Sequence, residues 1–157
     1  RHDVQASQLL CEITESVAME DTQATQRAIE ELRSIGIFLS IDDFGTGYSS
    51  LNYLRQLPAQ QLKIDRSFIR DLETEEDARA VVHAVVRLAH ALGLRVVAEG
   101  VETAGQRDIL IDMQCDELQG YFYARPMPAD SLLAWARGDR RGGQADFSAS
   151  ILGALTG

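Results

Sequence analysis

The chain has 157 residues, of which 45% are hydrophobic and 25% charged, the composition of a globular domain with a sizeable core. Its 24 acidic residues outnumber 15 basic ones, and the net charge of −9 argues against duplex nucleic acid held by phosphate contacts. No apolar run approaches the ~20 residues of a membrane span, no signal peptide is visible, and Cys11 and Cys115 make no disulfide framework, so a reducing, cytoplasmic setting is expected.

In chain order, residues 9–14 read as a short strand carrying Glu12 and followed by Glu15. A helix is predicted over 22–35, with Ala28, Leu32 and Ile35 on one face and Gly36 just past its end. The apolar run 37–41 predicts a buried strand that delivers Asp42 and Asp43 into a glycine-containing loop. Residues 48–57 predict a loop and short helix ended by Pro58, and 61–65 a further strand with Lys63 inside it. The segment 75–92 predicts a long helix with Thr74 and Asp77 as a capping box, an inward stripe of Ala78, Val82, Val85, Ala89 and Leu92, and Gly93 as its stop. Residues 94–98 predict a buried strand leading to Glu99 and Glu102. Thr103 and Gln106 pair as the capping box of the next helix, with Ile109, Leu110 and Met113 inward. A last strand region spans 116–123 with Gln119 in it, and Pro128 opens a helix through about Arg137.

Alternation of strands and helices predicts a parallel α/β sheet, a class whose chemistry gathers at the carboxyl ends of the strands. Glu12, Asp42, Asp43, Lys63, Glu99 and Gln119 all fall at or near such ends. Adjacent carboxylates at the end of a buried strand repel one another, and a divalent cation or a shared proton relieves that cost. Asp-Asp before a glycine would, in isolation, read as a local turn. Polar groups arriving from five strands at one rim point to a metal site instead. Oxygen donors without His or Cys suit Mg²⁺ or Mn²⁺. A carboxylate shared by two cations ~3.5–4 Å apart is a common arrangement for cleaving phosphodiesters. Lys63 would add fixed positive charge at the attacking water or at a phosphate oxygen.

Five segments, in order and at matching spacing, resemble successive signatures of the EAL domain over about residues 8–137. They are Glu12-Ile13-Thr14-Glu15-Ser16, Asp42-Asp43-Phe44-Gly45-Thr46-Gly47-Tyr48-Ser49-Ser50-Leu51, Leu62-Lys63-Ile64-Asp65, Val97-Ala98-Glu99-Gly100-Val101-Glu102-Thr103 and Gln119-Gly120-Tyr121. That family comprises bacterial phosphodiesterases that linearise cyclic di-GMP to pGpG with Mg²⁺ or Mn²⁺. The resemblance implies a (β/α)8 TIM-barrel-like fold. With ~250 residues usual for such a barrel, and no Glu-Ala-Leu tripeptide in the sequence, it implies an incomplete barrel starting near the fourth strand. Residues 1–138 would then be the C-terminal part of an EAL domain, and 139–157 a mobile tail or short extra helix.

Roles follow from the same resemblance. Glu12, Asp42, Asp43 and Glu99 are implied as metal ligands, with two cations per complete site and Asp42 bridging them. Lys63 matches the lysine at the nucleophilic water, and Glu99, Glu102 and Gln119 match further catalytic or supporting positions. Glu15 would anchor the loop Phe44, Gly45, Thr46, Gly47, Tyr48, Ser49 and Ser50, a candidate regulatory element linking dimer contacts to metal binding. Expected partners are cyclic di-GMP, a second copy of the chain in a homodimer, and a linked sensor or GGDEF domain in a longer protein. Such a protein could be membrane-anchored without membrane contact by this segment. The complete protein is expected to be an active phosphodiesterase and the 157 residues alone to be inactive. The rival expectations are a receptor that binds cyclic di-GMP without cleaving it, or a dimerising regulatory module.

Overall fold

The computed structural model describes residues 3–18, 20, 22–45, 47 and 51–137. Five strands, β1 (Leu10–Thr14), β2 (Phe38–Phe44), β3 (Gln61–Ile64), β4 (Arg95–Glu99) and β5 (Glu117–Gln119), pair in the order of the chain, and every pairing is parallel. An order that never turns back is that of a singly wound barrel wall; a doubly wound sheet reverses direction at a switch point. Right-handed crossovers then carry successive connections over the same face. Among the described residues the sheet ends at β1 and β5, so it is an open arc of an incomplete barrel.

Between the strands lie α1 (Glu15–Ala18), α2 (Gln23–Ser34), α3 (Leu51–Leu54), α4 (Arg66–Arg70), α5 (Glu76–Ala91) and α6 (Ala104–Asp112), with α7 (Ala129–Ala136) after β5. None of the described helices is long and apolar enough to cross a membrane. Thr22 caps α2, its hydroxyl accepting from Thr25 N at 3.1 Å. The inward face of α2 is rotated from the one predicted. Ile29 is buried and Leu32 half-buried, whereas Ala28 and Ile35 are exposed. Ile35 sits at the C-cap, past the last turn that faces the sheet.

The two predicted capping boxes part ways. At α6 the box forms, with Thr103 Oγ1 accepting from Gln106 N at 3.1 Å and Gln106 Oε1 accepting from Thr103 N at 3.2 Å. At α5 the box does not form: Glu75 is the cap, without a side-chain capping bond, and the Thr74 hydroxyl donates instead to the Asp71 carbonyl at 3.3 Å. Helix α4 has no counterpart among the predicted elements. Its start is written in Asp65, whose carboxylate accepts from Ser67 N at 3.0 Å. β5 is shorter than predicted because the chain turns at Gly120, whose carbonyl accepts from Tyr123 N at 3.1 Å. The tail 139–157 lies outside the described residues.

Strand alternation sorts the side chains to two faces. Ile41, Leu62, Ile64, Val96 and Ala98 point under the helices and join Ile69, Leu72, Val82, Val86, Ala89 and Leu110 in one core. The opposite face carries Glu12, Ser40, Asp42, Lys63, Val97 and Glu99. Register lines these up across the sheet: Glu12 opposite Ser40, Lys63 opposite Val97, and Glu99 opposite Gln119.

Candidate metal centre

Neighbouring residues of a strand point to opposite faces, so Asp42 and Asp43 would not ordinarily share a site. The structure resolves this with an irregularity. The pairing of β2 with β3 slips between Ile41 and Phe44, and Asp43 adopts a left-handed φ of 54°. A local insertion of this kind re-aims a side chain, and Asp tolerates the left-handed region better than most residues. Asp43 thereby turns to the side of Asp42, and Phe44 returns to the core. Asp42, Asp43 and Glu99 each offer an oxygen, all within 4.8 Å of one another.

Lys63 reaches the same place from β3, the strand between those that carry Asp42 and Glu99. Its ammonium lies 2.7 Å from Glu12 Oε1, 3.0 Å from Asp42 Oδ1 and 2.7 Å from Glu99 Oε1, with the side chain only 7% exposed. Burial acts to lower the Lys63 pKa. Its ion pairs with Glu12, Glu99 and Asp42 more than reverse this and raise it well above the ordinary lysine range. Asp42 Oδ1 is itself buried and, though close to the ammonium, lacks the alignment of a hydrogen bond. A cluster of carboxylate oxygens that includes a buried, poorly satisfied one fits a hard divalent cation.

The other candidates divide. Glu12 belongs to the cluster, but from mid-strand, since β1 continues to Thr14. Glu15 opens α1, is 1% exposed, and accepts from Gly45 N at 2.9 Å and Gly47 N at 3.2 Å through one oxygen. It thus ties down the loop after the Asp pair. Gly45 is required there. Its φ is +100°, and an added Cβ would lie 2.6 Å from the Phe68 ring. Thr46, Tyr48, Ser49 and Ser50 lie outside the described residues. Gln119 ends β5 beside Glu99. Glu102 is exposed and is not one of the clustered carboxylates, its backbone N–H donating to Gln106 Oε1 at 2.8 Å. His90 bonds Asp116 at 2.9 Å on the opposite rim. One neighbour went unread in the sequence: Ser40, two residues before Asp42 on the same face, has a fully buried hydroxyl without a hydrogen-bond partner. The alternation of β2 would have revealed it.

The model of the EAL domain family matches residues 1–126. The chain belongs to the EAL-domain family. Among relatives of this EAL chain, the bifunctional diguanylate cyclase/cyclic di-GMP phosphodiesterase MucR of Pseudomonas aeruginosa is 52% identical over 134 residues, 85% of this chain and 20% of MucR. A structure of the PaMucR phosphodiesterase in complex with c-di-GMP matches with a TM-score of 0.80 and 51% identity, over 84% of this chain and 53% of that one. Klebsiella pneumoniae BlrP1 with manganese and c-di-GMP matches with a TM-score of 0.73 and 35% identity, over 78% of this chain and 31% of that one. The EAL chain therefore spans well under two thirds of the length of each of these relatives.

Proposed function

We propose that this chain is the Asp-pair portion of a phosphodiesterase domain that hydrolyses cyclic di-GMP to linear pGpG, using Mg²⁺ or Mn²⁺ with two cations per complete site. The observation that carries the reading is the meeting of carboxylates from three strands, Glu12, Asp42 and Glu99, within 3.0 Å of the Lys63 ammonium, with Asp43 turned in beside them. The c-di-GMP bound by PaMucR and the manganese and c-di-GMP bound by BlrP1 support the choice of ligand and metal.

Asp42, Asp43, Glu99 and Glu12 would hold the cations. When bound, the cations supply an activated water and neutralise charge on the phosphodiester. Lys63 contributes a fixed positive charge where negative charge develops on the phosphoryl oxygens. Its position is set by the same carboxylates, so it needs no reorganisation when substrate enters. Gln119, paired with Glu99 at the end of β5, and Glu102, in the loop after β4, would serve as supporting groups. Glu15 holds the N–H groups of Gly45 and Gly47, which makes this loop the route by which a homodimer contact would reach Asp42 and Asp43. In a longer cytoplasmic protein, a linked sensor or GGDEF domain would act through that contact.

The test incubates the intact protein and this chain separately with cyclic di-GMP and Mn²⁺ or Mg²⁺, tracking pGpG by chromatography. Product from the intact protein that disappears with Asp42→Asn supports the enzyme. Binding of the dinucleotide without product transfers the assignment to a receptor. Turnover by the 157 residues alone would show that the remainder of the domain is dispensable.

A further inference from the structure

We propose that Glu73 and Gln106 are positioning residues for the acidic site, holding the segment 100–103 against the turn between α4 and α5 and thereby setting the Lys63–Glu99 spacing. Glu99 is the last residue of β4, and the backbone just beyond it is held on two sides. Toward β5, Val101 N donates to Gln119 O at 3.0 Å, and Val101 O accepts from Phe122 N at 2.9 Å. Toward α4, Gly100 has a φ of +72°, and an added Cβ would lie 2.5 Å from Arg66 Cβ, so the helix leaves no room for a side chain.

Two polar links complete the clamp. Gln106 is 5% exposed. Its Oε1 accepts from Glu102 N at 2.8 Å and Thr103 N at 3.2 Å, while its Nε2 donates to Arg70 O at 3.4 Å. The Thr103 hydroxyl donates to Glu73 Oε2 at 2.5 Å. An anion there also suits the amino end of α6. Glu73 is in turn held by its backbone, since the Arg79 guanidinium donates to Leu72 O at 2.6 Å and to Glu73 O at 2.7 Å.

Capping of α6 accounts for Thr103 and for the Gln106 carbonyl, but not for the other two bonds. Glu73–Thr103 and Gln106–Arg70 join residues 30 and 36 apart in sequence. They connect the helix after Lys63 to the loop after Glu99, so the strand pair β3–β4 is fastened above the site as well as by its ladder. Ligand-supporting contacts of this kind typically matter by 10–100-fold, and small misplacements of a reacting group are costly.

The kinetic readout rests on the phosphodiesterase reading; the metal readout does not. In the intact protein, Glu73→Ala removes the exposed link and leaves the capping box. Gln106→Glu keeps the capping acceptor and removes the amide that reaches Arg70. Each variant is expected to weaken Mn²⁺ binding, measured by calorimetry, by about tenfold and to lower kcat similarly. Glu73→Gln, which keeps an acceptor for Thr103, is expected to restore most of both. Mn²⁺ affinity and kcat within about twofold of the unaltered protein, with only the melting temperature falling, would overturn the proposal in favour of plain helix capping. If the unaltered protein cleaves no cyclic di-GMP, the phosphodiesterase reading fails and the Mn²⁺ titration alone decides the positioning role.

Discussion

Leu62 and Lys63 are consecutive, both buried at 0% and 5% exposure, and they serve opposite faces of one sheet. Leu62 is surrounded by Ile41, Val96 and the helices above them, where burial is stabilising in itself. Lys63 is surrounded by carboxylates, where burial is unfavourable until each charge finds a partner. Depth therefore does not separate core from site in this protein. The nature of the neighbours does. The helix-covered face supplies the stability that allows the other face to hold like charges close together.

The division is tested most sharply on the polar face. Asp42→Asn should lower turnover of cyclic di-GMP by at least about a hundredfold while leaving urea-induced unfolding almost unchanged, because it removes a ligand charge and not a core contact. A comparable loss of stability would show that the acidic face also holds the fold. The reciprocal change, Ile64→Ala, should cost about 2–5 kcal/mol in urea denaturation yet leave the Mn²⁺ affinity of the folded protein intact.

Gly45 is where the two faces meet, since Phe68 packs on it from α4 and Glu15 holds its N–H. Gly45→Ala combines a left-handed φ with a clash and should cost about 1–3 kcal/mol, measured by thermal unfolding. It should also weaken metal binding if the loop governs Asp43. The smallest effect concerns Cys115, which is half-buried and packs against the helix-covered core. Burial pushes its thiol up to about 11, with its S–H near Val96 O and Glu117 O. The thiol is raised, so the reactive thiolate is lost below that value and gained as pH rises toward it. Iodoacetamide should label Cys115 slowly at pH 8 in the folded protein, accelerate toward pH 11, and label it readily at pH 8 after unfolding.

The sequence by itself determined the parallel α/β class, the register of α5 and α6, and the residues of the acidic rim. These are local properties: apolar runs of strand length, a Thr-x-x-Gln box, and carboxylates or a lysine within or at the ends of strands. The (β/α)8 expectation came from five motifs in register, and the sequential order of the strands agrees with it. What the tertiary structure decided was non-local. Nothing in Asp42-Asp43 announces that the β2–β3 ladder slips and turns Asp43 onto the face of Asp42. Ile29 displaced Ala28 and Ile35 as the inward residue of α2, because the direction of the sheet, not helical periodicity alone, selects the buried side. Glu73, an ordinary turn acid in the sequence, meets Thr103 only because α4 and the loop after β4 are brought together by neighbouring strands. Periodicity is carried by residues a few positions apart, whereas these contacts exist only once the sheet has formed.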